Sequence, residues 1–438
     1  MDKQNNLITT DITATKAATT EVTDVELAQA FAGEGKRMAK VHTGTQDESP
    51  KKPRINKQFV IFIAVGAISF VAGVALILIS LLSPTKKSEV AGFPDLSKKN
   101  DDKAVYSKLT GETLASAELL TAPAYCIQTP NGTDGARPQA GLNTAGVVFE
   151  AIAESGITRF AAIYQNPTAA IIGPIRSLRI YYLEWDTPFD CTIVHAGGSG
   201  DALAAVANGY KDLTEDYSYM YRGTYGSRLW NNLFTTSTAL ARFSADHGYN
   251  TSEIKGFARM TPEESERTRI DELAVEKLVI TKPSSVNTSE LKPATTNIAL
   301  NLGGWADFNV NYVYNAETNR YMRSYTSGAA HEVYNCPEGD VGERNPEDAC
   351  TLVQMAPSVV VAMMVNERRA SDNYHEDIDA IGSGEAYVFQ NGTAVKGTWK
   401  KSSKEEQISF TDADGKEIRL APGQTFVTAV PNYGSVDF

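Results

Sequence analysis

Arg159, Arg176 and Arg179, followed by His195 and preceded by Glu150, are the residues of this 438-residue chain whose types and spacing best suit chemistry. A guanidinium presents its N–H donors as a planar fork that matches a carboxylate or a phosphate. Arg176 and Arg179 stand three apart at the opening of a helix expected over 177–185, where residues at that spacing share a face. With Arg159 on a strand expected over 157–164, they would form a fork for an anion, helped by amides at that helix N-terminus and at the Gly197-Gly198 turn. The competing reading makes the three arginines structural partners of Glu150, Glu154 and Glu184. His195 ends an apolar strand and precedes a glycine turn and a helix starting near Asp201, a place where α/β sheets present functional groups. It would act there as a general base or a ligand anchor, or simply hydrogen-bond a loop. Ser199 sits in Gly-Gly-Ser-Gly, which is not the Gly-x-Ser-x-Gly of a nucleophile elbow.

Other patterns point to less. Asp412-Ala413-Asp414-Gly415 opens like a calcium loop, but Gly423 stands where the twelfth-position glutamate belongs, so a hairpin turn is expected. Tyr217, Tyr219, Tyr221, Tyr225 and Trp230 offer rings that would stack on sugars, or ordinary loop packing. The five histidines are scattered and no cysteine pair has metal-site spacing, so neither a metal nor a cofactor is implied.

The elements that must position these groups lie beyond a membrane signal. Residues 59–82 run without a charged side chain, long enough at the helical rise to cross a bilayer. The run ends Leu81-Leu82-Ser83-Pro84 without a cleavage pattern, and the first cysteine is Cys126, so neither a cleaved leader nor a lipidated cysteine beside the membrane is expected. Lysines and arginines cluster ahead of it (Lys36, Arg37, Lys40, Lys51, Lys52, Arg54, Lys57), which predicts a cytoplasmic tail. The expected organisation is a disordered tail over 1–57 with one capped turn near Thr23 and Glu26, a transmembrane helix over 58–83, and a stalk over 84–117.

Two extracytoplasmic domains are expected next, an α+β arrangement overall. Residues 118–288 alternate strand and helix patterns as an α/β domain, with helices over 201–208 and 237–247. Residues 289–438 are strand-rich, with Asn391-Gly392 and Asp414-Gly415 as hairpin turns, and predict a mainly antiparallel β domain. The net charge is −12 overall and about −13 beyond the tail, which excludes nucleic acid as a general electrostatic partner. Four cysteines outside the membrane allow three connectivities; Cys336 with Cys350 across a polar loop, and Cys126 with Cys191 across two strands, are the preferred pairs.

Several stretches resemble the bacterial DUF3048 (YerB-like) family: Ala136-Arg137-Pro138-Gln139-Ala140-Gly141-Leu142, Val148-Phe149-Glu150-Ala151, Gly156-Ile157-Thr158-Arg159-Phe160, Gly173-Pro174-Ile175-Arg176-Ser177, His195-Ala196-Gly197-Gly198-Ser199-Gly200-Asp201 and, near the end, Gly397-Thr398-Trp399-Lys400 and Pro422-Gly423-Gln424-Thr425. The resemblance implies a two-part extracytoplasmic protein of unknown activity. It places Arg137, Ser199 and Asn232, which lie within its motifs, beside Arg159, Arg176, Arg179 and His195 as candidate ligand-binding residues. Where the family shows Pro-His-Asn-Leu this chain has Trp230-Asn231-Asn232-Leu233, and an amide at Asn231 cannot exchange protons as imidazole does. The expected function is a membrane-anchored binding or scaffold module for a wall glycan, an anionic ligand or an envelope protein; the alternative is an envelope hydrolase or transferase using Glu150 and His195 as acid and base.

Overall fold

The computed structural model describes residues 104–224, 231–273 and 295–438. In chain order the strands are β1 (Ala124–Pro130), β2 (Val147–Glu154), β3 (Ile157–Gln165), β4 (Thr192–His195), β5 (Asp212–Thr214), β6 (Met220–Arg222), β7 (Leu233–Thr235), β8 (Asn297–Asn301), β9 (Val310–Asn315) and β10 (Arg320–Tyr325). They continue as β11 (Glu332–Asn335), β12 (Thr351–Gln354), β13 (Val359–Val365), β14 (Glu367–Arg369), β15 (Glu376–Ile378), β16 (Gly382–Gln390), β17 (Thr393–Lys401), β18 (Ser409–Thr411), β19 (Thr425–Pro431) and β20 (Ser435–Asp437). The main helices are α1 (Ile180–Asp186), α2 (Gly200–Val206), α3 (Ser237–His247) and α4 (Pro262–Leu273).

The fold is mixed α+β, built on one ten-stranded sheet of order β18-β17-β16-β13-β19-β2-β3-β1-β4-β5, with a four-stranded antiparallel sheet β10-β9-β8-β20 and three two-stranded ribbons. Strands β1, β2 and β19 are buried along their whole length, because both faces of the sheet are covered. Val147, Phe149 and Ala151 of β2 enter one core with Tyr181, Tyr182 and Trp185 of α1, while Val148 packs into a second core on the other face. That alternation is the pleat acting on an almost uninterrupted apolar run.

The large sheet unites the two expected domains. β19 lies between β2 and β13 and is parallel to both, pairing Thr425 with Val147 and Phe426 with Val148. Both halves therefore contribute strands to the large sheet, while the four-stranded sheet belongs to the second half alone; the boundary expected between 288 and 289 lies outside the described residues. The four-stranded sheet packs over this junction through Tyr312 and Tyr321, which share a core with Ile152, Val360 and Phe389.

The end of the expected stalk is part of the folded unit. Leu109 is buried in the first core, and Arg259 donates to its carbonyl at 2.6 Å. Gly256 allows this approach, since a Cβ there would meet the Lys108 carbonyl oxygen at 1.7 Å. Among the described residues no helix is long and apolar enough to cross a membrane; the tail, the span expected over 58–83 and the start of the stalk lie outside them.

Candidate functional site

The parallel strands β1, β4 and β5 end at Pro130, His195 and Thr214 along one edge of the large sheet, and β3 begins there with Arg159 opposite Pro130. The chain entering α1 is tied to that edge. The Arg176 amide donates to the Gln128 carbonyl at 2.7 Å, the Ala196 amide to the Arg176 carbonyl at 3.0 Å, and the Leu178 amide to the Gly197 carbonyl at 3.0 Å. These bonds hold 176–178 extended, so the helix expected from 177 starts at Ile180 with Arg179 as its N-cap. The shared helical face expected for Arg176 and Arg179 does not form. With seven residues each, α1 and α2 also add no N-terminal anion site to the arginines.

The arginines divide in role. Glu154 takes Arg159 on Oε1 and Arg179 on Oε2, the latter at 2.6 Å. Burial works to raise the Glu154 pKa, but the two guanidinium groups overcome it and hold it below the ordinary carboxylate range. Arg176 makes no side-chain hydrogen bond or ion pair with the described residues. Burial, and then the neighbouring Arg159, lower its pKa; Arg222 adds to the effect, while Asp134 and Glu154 oppose it. Glu184 is half-buried, its carboxyl raised by burial with Lys401 the foremost opposing charge, so it is not the arginines' partner.

Glu150 and His195 do not form an acid–base pair. Both Glu150 oxygens accept from Arg323, at 2.9 and 2.8 Å, and both residues are fully buried. His195 is buried with Nδ1 2.7 Å from the Gly197 carbonyl and Nε2 2.9 Å from Asp212 Oδ1, so both ring nitrogens are occupied. A general base needs a nitrogen in reach of substrate, and here none is exposed. Asn232 is likewise engaged: its amide donates to the Gly223 carbonyl at 2.6 Å and accepts from Arg222 at 3.0 Å, fastening the β6–β7 ribbon. Asn231 donates to Asp134.

The remaining candidates open onto different cavities. Arg137 lines one of about 370 Å³ with Pro138, Asp307, Tyr325 and His331; its guanidinium stacks 3.8 Å from the Tyr325 ring centroid and donates to Asn131 at 2.9 Å. Asp212, the partner of His195, faces another of about 720 Å³ with Glu215, Phe243 and His247. Arg179 and Ser199 line a third, of about 400 Å³. Tyr219 and Tyr221 pack against Phe243 and Phe234, Tyr217 is exposed, and Tyr225 and Trp230 lie outside the described residues. Asp412 Oδ1 accepts the amides of Asp414 and Lys416 in a turn.

Sequence reasoning missed the polar network beneath the Arg137 cavity. Arg323 also donates to the Tyr312 hydroxyl at 3.2 Å and to His331 Nδ1, and His331 Nε2 lies 3.1 Å from Gln139 Oε1. Burial and the Arg323 charge push the His331 pKa well below its ordinary value, so the ring is neutral and accepts from the guanidinium. Asn131 joins Glu150, Thr158, Gln139 and Arg137. A signal was present in Arg320–Tyr325: Tyr321, Arg323 and Tyr325 alternate onto one buried face, so the arginine points inward.

Both expected disulfides exist. Cys126 in β1 joins Cys191, the residue before β4, and Cys336 joins Cys350 next to the Asn335–Thr351 pair that ends the β11–β12 ribbon.

Glu367 on β14 provides a pH test. The Tyr433 hydroxyl donates to its Oε1 at 2.8 Å, while the buried Oε2 has no partner. Burial, reinforced by Glu376 and opposed by the Tyr433 bond, pushes its pKa up to about 7. A raised carboxyl pKa favours the neutral form in the fold, so its stabilising effect is complete below about 4.5 and is lost as pH rises through about 7. Glu367→Gln should match the parent in urea melts at pH 4 and exceed it by roughly 1–3 kcal/mol at pH 8. The same difference at both pH values would rule out this titration.

With this geometry in place, comparison with known proteins gives the relationship. The profile described as "Protein of unknown function (DUF3048) N-terminal domain" matches residues 109–250, and its C-terminal counterpart matches residues 300–427. The chain belongs to the DUF3048 family. Within it, the Bacillus subtilis (strain 168) protein named "Putative lipoprotein YerB" is 27% identical over 362 residues, 83% of this chain and 95% of that protein. The crystal structure of YerB from Bacillus subtilis shares the fold, with a TM-score of 0.59 at 22% identity over 76% of this chain and 100% of that one. The family is thus the one implied by the sequence motifs; its description assigns no activity.

Proposed function

We propose that the protein is an envelope-tethered binding module that takes an anionic group, a free anion or the acidic group of a wall glycan, beside Arg176 at the C-terminal ends of β1 and β4. The observation that carries this is the half-buried Arg176 guanidinium, without a hydrogen bond or ion pair to the described residues and close enough to Arg159 and Arg222 for repulsion to lower its pKa. A partly desolvated cation that makes no ion pair of its own with the described residues gains from an added anion, even with Asp134 and Glu154 offsetting Arg159 and Arg222 around it, and such groups concentrate at functional sites. The tether is the uncharged run over 59–82, with the tail inside and the folded part outside. Two disulfides support an oxidising compartment. The relative's name describes a lipoprotein; in this chain a single apolar span would serve the same anchoring role.

Titration of the full chain in detergent micelles with inorganic phosphate and with carboxylate-bearing wall fragments tests the proposal. Binding should weaken with salt and fall by at least about tenfold in Arg176→Met, the order expected for a lost charge-assisted hydrogen bond. The same variant should melt no lower than the parent, because the side chain makes no ion pair with the described residues. Unchanged affinity in Arg176→Met, or no binding of either probe, sinks the reading.

A further inference from the structure

Arg176 stands among charges whose other guanidinium groups are already committed. Arg159 pairs with Glu154 Oε1 and donates to the Ser177 carbonyl at 3.0 Å, while Arg179 pairs with Glu154 Oε2 at 2.6 Å and donates to the Leu178 carbonyl at 2.9 Å. Arg222 pairs with Glu215 and donates to the Tyr217 hydroxyl at 2.8 Å and the Asn232 amide oxygen at 3.0 Å. Arg176 differs from these three: its backbone is fixed by the Gln128 carbonyl and the Ala196 amide, but its side chain makes no hydrogen bond or ion pair with the described residues.

The charge of the group is nearly balanced. Among the described residues these four guanidinium groups meet three carboxylates: Glu154 between Arg159 and Arg179, Glu215 on Arg222, and Asp134, which faces Arg176 and takes the Asn231 amide at 3.2 Å. Glu215 also lies within the field of Arg176. The excess is one positive charge, and the fork left for a ligand is that of Arg176.

Both facts limit what the site takes. One guanidinium offers two parallel N–H donors, which the two oxygens of a carboxylate, or the two unbridged oxygens of a phosphodiester, accept together. Attraction to a single excess charge grows in proportion to the ligand's own charge, whereas the cost of drawing the ligand out of water grows with the square of that charge. At a half-buried arginine a second ligand charge therefore doubles the gain and about quadruples the penalty. We infer that the Arg176 site selects a singly charged anion with two paired oxygens, a carboxylate or a phosphodiester, over a doubly charged phosphate monoester. The preference rests on the anion site proposed above and specifies its ligand.

Calorimetric titration of the full chain in detergent micelles at pH 8 with lactate, dimethyl phosphate and methyl phosphate tests this; the last is doubly charged there, because its second proton leaves at about pH 6. The tighter of the two singly charged ions should bind at least about tenfold more strongly than methyl phosphate. Lactate in the lead identifies a carboxylate, dimethyl phosphate in the lead a diester, and either result supports the selection. Glu215→Gln, at a partly exposed pair, raises the excess to two positive charges, so methyl phosphate should gain at least about threefold more affinity than lactate. Methyl phosphate binding as tightly as the better singly charged ion, or equal gains for all three in Glu215→Gln, overturns the selection while leaving the Arg176 site standing. If none of the three binds, or if Arg176→Met changes no affinity, the site itself fails and the selection with it.

Discussion

Arg323→Met is expected to destabilise the protein by about 3–5 kcal/mol, because it leaves a carboxylate buried without its counter-charge. Arg323 holds both oxygens of Glu150, the Tyr312 hydroxyl and His331 Nδ1, with the Phe160, Tyr312, Tyr325 and Phe426 rings 5.0 to 5.9 Å from its guanidinium carbon. Burial alone would lower the Arg323 pKa, yet Glu150 raises it, so the guanidinium stays charged. The pair also joins β10 of the small sheet to β2 of the large one, so its loss should lower the urea midpoint of the whole unit rather than release one strand. Adding Glu150→Gln removes the stranded charge, and the double variant should be more stable than the sum of the two single losses by about 1–3 kcal/mol. A single-variant loss below about 1 kcal/mol would show that the network contributes little.

Removing the Cys126–Cys191 disulfide with alanine at both positions should cost about 4 kcal/mol, from the chain-entropy relation applied to a separation of 65 residues. The same change at Cys336 and Cys350, 14 residues apart, should cost about 3 kcal/mol. Packing widens the gap, since Cys126 lies in the main core and alanine there leaves a void, whereas Cys336 belongs to a small peripheral cluster. Urea midpoints of the two double variants under oxidising conditions measure the order. Equal midpoints, or a larger loss at Cys336 and Cys350, would contradict it.

Local pattern made much of the fold readable. The apolar runs of β2, β3 and β4 and the capped segment Ser237–His247 appear where periodicity puts them. Several elements escaped it, among them α4, β10 and the short ribbons. α4 is mostly charged and has no apolar stripe, although Thr261 and Glu264 form a reciprocal capping box visible in the sequence. β10 carries an arginine at a core position, which reads as solvent-facing until its partner is known. Residues 417–420 form no strand and contribute two isolated bridges, Glu417 with Thr411 and Leu420 with Arg259.

The candidate site was less legible. Residue type identified the arginines, but whether a guanidinium is paired depends on which carboxylate the fold brings beside it. Glu150 was available on paper to Arg159 or His195, and it went to Arg323, 173 residues away. Likewise Ser199 and Arg179, expected to share a ligand with Arg176, face a separate cavity because 176–178 is extended rather than helical.

By itself, then, the sequence determined the family, the apolar run over 59–82, the preferred disulfide pairs and most strand positions, because these depend on composition, motif and short-range periodicity. The tertiary structure alone decided that β19 enters the sheet beside β2, that Glu150 belongs to Arg323, and that Arg176 lacks a partner among the described residues while Arg159 and Arg179 share one. The physical reason is common to all three. Strand order and ion-pair choice are settled by which residues distant in sequence are desolvated together, a competition that no local pattern encodes.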